Sequence, residues 1–171
     1  MRTTRSIALL TLLAAVAIAP ASSLAAGGPS RVTGGGSILF AGIIPMQFGF
    51  SAIALPNGDA VGSFHHAYTD DVGDYLFIGT VTCVTFDAAN GRAWIGGVLT
   101  EVITNDPNVG IVPGDDAWFR VLDGPEGDRS TAMGFIPSFP SSAEYCAGQP
   151  WPDGNLRTHP VTEGQITVTA N

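Results

Sequence analysis

Lysine is absent from this chain of 171 residues. Its fixed positive charge comes from seven arginines, set against fifteen aspartates and glutamates. Such a balance repels phosphate backbones and anionic bilayers, so nucleic acid and acidic membrane surfaces are poor partners. Cysteine is scarce: Cys83 and Cys146 are the only two. Their spacing fits neither a redox Cys-x-x-Cys nor a zinc cluster. Helical periodicity is missing beyond the first residues, where i, i+3, i+4, i+7 apolar spacing is not sustained. No serine sits in a Gly-x-Ser-x-Gly elbow, so nucleophilic catalysis has no support. Past the N-terminal segment, no apolar run approaches the roughly 20 residues that a membrane span needs.

The N-terminal segment is different in kind. Arg2 and Arg5 precede an apolar run from Ile7 to Ile18 that only Thr11 interrupts. Pro20 and the small residues Ala21-Ser22-Ser23-Leu24-Ala25-Ala26 follow. Ser23 and Ala25 suit the −3 and −1 positions of signal-peptidase cleavage, and Leu24 and Ala26 do so less well, so residues 1–26 read as a signal peptide cut after Ala25 or Ala26. Residues 27–171 then form a single exported domain, long enough for a real core. Without Arg2 and Arg5, five arginines face fifteen carboxylates, a balance of −10. In an exported chain two cysteines most simply form one disulfide, Cys83–Cys146. Closing so long a loop is worth on the order of 4 kcal/mol in the chain-entropy model. The compartment is extracellular, or periplasmic in a Gram-negative cell.

What recurs instead of a helical period is short alternation bounded by Gly, Pro, Asn and Asp, the pattern of an antiparallel β protein. Gly34-Gly35-Gly36 inside the first strand marks a bulge or a close backbone approach. Met46 to Leu55 puts Phe48, Phe50, Ala52 and Ala54 on one face. The turn Pro56-Asn57-Gly58-Asp59 pairs it with Ala60 to Tyr68. After the turn Asp70 to Asp74, a strand restarts at Tyr75, and Gly79 kinks it into Thr80 to Phe86. The hairpin from Thr80 to Glu101 turns around Asn90-Gly91, either as a two-residue turn or as a longer loop from Asp87. Ala117 to Leu122 places Phe119 and Val121 opposite Trp118 and Arg120. Thr131 to Ile136 is a short strand, Pro137 to Pro160 is irregular, and Gln165 to Ala170 closes the fold. The chain is therefore expected to be all-β, a single antiparallel meander of about 8–9 strands, as a barrel or barrel-like sandwich.

Three constellations invite a chemical reading. His65-His66 are strand neighbours, so they point to opposite faces and do not chelate one ion together; either could join Asp70, Asp71 or Asp74. Calcium favours carboxylates at alternating loop positions, which makes Asp115, Asp116, Asp123, Glu126 and Asp128 weak candidates. Trp94, Trp118 and Trp151 suit a sugar-stacking platform, although plugging a core or covering the bridge is their commoner use. None of these implies a cofactor.

The order of several short pieces resembles a known group. Gly34-Gly35-Gly36, Phe48-Gly49-Phe50-Ser51-Ala52, Val81-Thr82-Cys83 and Ala93-Trp94-Ile95-Gly96-Gly97 are followed by Phe119-Arg120-Val121-Leu122-Asp123, Cys146-Ala147 and Gly164-Gln165-Ile166-Thr167-Val168. This succession is similar to the post-COAP domain family of exported bacterial β domains. Two places depart from it. The connection Asp87 to Arg92 is longer than the family's short turn, and Gly124-Pro125-Glu126-Gly127 lacks the usual Asn. The resemblance implies a secreted, compact β domain and supplies no catalytic residues. The leading expectation is thus a non-catalytic secreted module, not an enzyme, that contacts an extracellular protein or surface component. A small-ligand or Ca²⁺-binding barrel comes second, and an extracellular hydrolase third.

Overall fold

The computed structural model describes residues 28–135, 139–152 and 154–171. The signal-peptide segment lies outside the described residues. Nine strands and one helix follow in order: β1 (Arg31–Phe40), β2 (Ile44–Ala54), β3 (Ala60–Thr69), β4 (Asp74–Asp87), β5 (Arg92–Thr104), β6 (Asp116–Leu122), β7 (Arg129–Ser130), β8 (Gly134–Phe135), α1 (Ser142–Gly148) and β9 (His159–Thr169). The sheet runs β5-β4-β3-β2-β1-β9-β7-β6, and β5 pairs with β6 to close it. The result is a closed antiparallel barrel of eight strands, with β8 as an extra strand on β6. Of the two expected architectures, barrel and sandwich, the barrel is the one that forms.

Alternation builds the interior. Phe48, Phe50 and Ala52 of β2, Phe64 and His66 of β3, Phe77 of β4, Ile95 of β5, Phe119 and Val121 of β6, and Ile166 of β9 are all buried. Phe119 sits at the centre, with the rings of Phe50, Phe64 and His66 5.0–5.8 Å from its own. The intervening positions, such as Thr33, Gln47, Ser63 and His65, face outward and are exposed. This interior is filled with aromatic side chains, whereas the lumen of a lipid-embedded barrel is polar.

Two glycines make room for this core. A Cβ on Gly34 would lie 2.9 Å from both Ile166 Cγ1 and Phe50 Cζ, so the expected close approach at the triplet is real. A Cβ on Gly79 would fall 2.2 Å from the Phe64 ring. The β4–β5 register also slips between Ile78 and Gly79, where the kink was expected, and again between Val81 and Cys83. Slips of this kind bend a strand and help a sheet curl into a barrel.

The β4–β5 connection is the longer of the two expected forms. Asp87 pairs with Arg92, and a 3-10 turn over Ala88–Asn90 fills the gap, with Gly91 left-handed at φ 63°. Of the strand expected from Thr131, only Gly134–Phe135 forms, as β8, and β7 lies just before it; between them, Thr131 N donates to Arg120 O and Thr131 Oγ1 accepts from Arg120 N. The irregular stretch expected over 137–160 contains α1. Ser141 caps that helix by accepting from Glu144 N at 3.2 Å. Seven residues are too few for an amphipathic period to register, but Ser141-x-x-Glu144 carries the spacing of a capping box.

Candidate binding surface

The structure separates the sequence-predicted site residues. Cys83 and Cys146 form the expected disulfide, with Cα atoms 6.2 Å apart, and it fixes α1 to the outside of β4. Under that helix, Trp94, Trp118 and Tyr145 make a second buried cluster with Phe139 and Trp151. Trp118 stacks on Tyr145, and Trp94 Nε1 donates to Pro150 O at 2.9 Å. Arg92 and Arg120 sit over the Trp151 ring at 4.6 and 5.2 Å. The tryptophans therefore cover the bridge and seal the outer wall, and do not present a flat sugar-stacking platform. This also explains why both faces of β6 are buried, one inside the barrel and one beneath the helix.

The two adjacent histidines part company as the strand period requires. His65 faces solvent over Gly49, while His66 is wholly buried. The His66 ring packs against Phe48 and Phe119, and neither nitrogen has a hydrogen-bond partner among the described residues. Burial, and secondarily the charge of His65, pushes its pKa down to about 3. Asp70, Asp71 and Asp74 lie in the β3–β4 turn. Asp70 accepts from the backbone of Val72 and Gly73, and Asp74 from Thr69 Oγ1 at 2.7 Å.

The five acidic candidates for calcium fall at opposite ends of β6, roughly 20 Å apart by strand rise. Asp115 accepts from Val112 N at 2.9 Å, and Asp116 holds both the backbone N–H and the hydroxyl of Ser142. At the other end, Glu126 is exposed. Asp128 accepts from Ile166 N at 2.6 Å and Asp123 from Val168 N at 3.0 Å. β7 is too short to pair with the whole of β9, so these two carboxylates take the place of strand carbonyls and close the seam. Among the described residues, no three histidines, cysteines or carboxylates are grouped to hold a metal ion.

Sequence reasoning missed the surface that is left. Large exposed apolar side chains gather at the barrel end formed by the β1–β2, β3–β4 and β5–β6 connections. They are Leu39, Phe40 and Ile43 of the first, Val72 of the second, and Ile103 and Val112 of the third. Ile43 is 77% exposed. The hairpin tip is strained as well as bare: Ala41 stands at φ 51° beside Gly42 at φ 77°. A left-handed alanine costs about 1 kcal/mol. The sequence signal was the stretch Ile38 to Met46, apolar on both sides of Gly42 where two strands meet.

Beside this tip lies a groove of about 670 Å³ on the outer wall of β2 to β5. Register explains it. Gln47 pairs with Ala67, Ala67 with Leu76, and Leu76 with Ile103, so one transverse row crosses four strands. The small Ala67 leaves a trough between larger neighbours. Pro45 joins the groove to the hairpin tip, and Asp74 and Asn105 close one side. Asn105 Oδ1 accepts from Asp74 N at 2.7 Å and its Nδ2 reaches Asp74 Oδ2 at 3.2 Å, which ties the β3–β4 turn to the end of β5. Nearby, Tyr75 donates to Asp106 at 2.9 Å and stacks on Tyr68 at 4.5 Å. Burial and that hydrogen bond push the Tyr75 phenol up to about 12. No helix of the described residues is long and apolar enough to cross a membrane. In comparisons with known proteins, no family model, no curated protein and no solved structure matches this chain.

Proposed function

We propose that this chain is an exported, non-catalytic β-barrel module that attaches to an extracellular protein or surface component through its apolar end. The observation that carries the reading is the hairpin tip, where Ile43 stands in solvent, Leu39 is partly exposed, and Phe40 is partly exposed with its ring edge against His159. The left-handed pair Ala41-Gly42 serves the β1–β2 turn, whereas the exposed isoleucine beside it gains nothing for the fold. Exposed apolar surface concentrated in one place is the mark of a contact site. The Cys83–Cys146 bridge supports an oxidising compartment, extracellular or periplasmic. The packed interior around Phe119 supports surface contact over an internal ligand cavity. Similarity to the post-COAP domains, with its expectation of a secreted β domain, belongs to the same proposal.

Partition tests it. Wild-type protein and a Leu39→Ser/Ile43→Ser double variant are each mixed with washed cells of the bacterium that exports them, then sedimented. The wild type is expected in the pellet and the variant in the supernatant, with unchanged melting temperature. Wild-type protein left wholly in the supernatant, or a variant that sediments equally well, overturns the reading.

A further inference from the structure

The groove beside the hairpin tip has a chemistry of its own. Its floor is the cross-strand row Gln47, Ala67, Leu76 and Ile103, and Ile103 is half exposed. The row spans three interstrand spacings, about 14 Å, which is the length of four or five residues of extended peptide. Charge around it is of one sign. No arginine occurs between Arg31 and Arg92, or between Arg92 and Arg120, and the chain has no lysine. The four strands that build the wall therefore bring no fixed positive charge to the groove. Asp74 lines it, and Glu101 lies one outward position before Ile103 on β5. The arginines of the barrel wall lie elsewhere: Arg31 at the opposite end of β1, Arg92 and Arg120 over Trp151, and Arg129 with Thr158.

From these observations we infer that the groove receives an extended segment of a partner protein in which apolar side chains alternate with arginine or lysine. The apolar side chains lie along Ala67, Leu76 and Ile103, and the cationic ones, which leave the opposite face of the segment, bend back on their long stems over the groove's edges to Asp74 and Glu101. Opposed charge steers such a segment in, and the apolar row holds it. A second copy of this acidic chain brings like charge, and so does an anionic bilayer. The inference rests on the binding-module reading above and names the partner's chemistry.

The test uses two fluorescein-labelled octapeptides, one alternating leucine with arginine and one alternating leucine with glutamate, read by anisotropy. The arginine peptide is expected to bind and the glutamate peptide is not. Ala67→Trp fills the trough and should weaken binding about tenfold or more. Leu76→Asp is the sharper variant. It adds negative charge, so plain electrostatic attraction predicts tighter binding, whereas a groove with an apolar floor predicts weaker binding. Both positions face outward, and a retained melting temperature confirms folding. The inference is overturned by failure of the arginine peptide to bind, by tighter binding to Leu76→Asp, or by binding that survives Ala67→Trp. It is overturned equally if zwitterionic vesicles displace the peptide, or if the protein self-associates through this face. Failure of the peptide arm with retention on cells intact removes the cationic partner and leaves the module reading standing.

Discussion

His66 is the residue at which this core is least comfortable. Its imidazole is sealed among phenylalanines with neither nitrogen paired, so it folds in the neutral form. The unfolded chain takes up a proton near pH 6.5, while the folded chain does so only near 3. Between those values the unfolded state binds more protons, so stability falls as pH falls through that window. The full loss approaches about 5 kcal/mol at its acid end. His66→Leu removes this dependence at similar volume. Denaturant unfolding at two pH values checks it: relative to wild type, the variant should gain about 3 kcal/mol more at pH 4 than at pH 7. Parallel pH profiles for the two proteins would contradict the account. Strand alternation alone showed that His65 and His66 face opposite ways. Which of them faces inward depends on the barrel's register.

At the scale of elements, local pattern and tertiary context divide the work. The strands with clean alternation, β2 and β6, are where the spacing of Phe48, Phe50, Phe119 and Val121 places them. Gly79 kinks β4 as its position suggests. The elements that were not legible are those whose hydrogen bonds are non-local. α1 is only seven residues long and is held by Cys146, Tyr145 and the Ser142–Asp116 contacts, not by its own propensity. β7 is short, and the Asp123 and Asp128 side chains serve β9 where a longer strand would. Sequence spacing made those carboxylates look like cation ligands, since an acidic Gly-rich turn has the same composition in either role. Their structural part can be measured. Asp128→Ala leaves the Ile166 N–H without its acceptor and should cost about 1–3 kcal/mol in denaturant unfolding. Glu126→Ala, in the same turn but exposed, should stay within about 0.5 kcal/mol. Equal effects at the two positions would show that the seam is not closed through Asp128.

For the whole molecule, the closed barrel serves as a rigid frame with differentiated surfaces. One side is covered by α1 and the tryptophans, and held by the disulfide. One end carries the apolar tip, next to a groove that the four-strand register creates. The eight-strand closure was within reach of the sequence because sequential hairpins need no long crossovers. The groove was not, because it arises from Gln47, Ala67, Leu76 and Ile103 falling into one row, and register across four strands is not written in any one of them.

The central claim is that the end bearing Leu39, Phe40 and Ile43 is the surface that meets the partner. Hydroxyl-radical footprinting of the protein, free in solution and adsorbed to washed cells of the organism that produces it, tests it directly. Oxidation at Leu39, Phe40 and Ile43 should drop several-fold on adsorption, while Val61 at the far end and Leu156 on the helix-covered side stay as reactive as before. Protection spread evenly over the barrel, or confined to Val61 and Leu156, would contradict it.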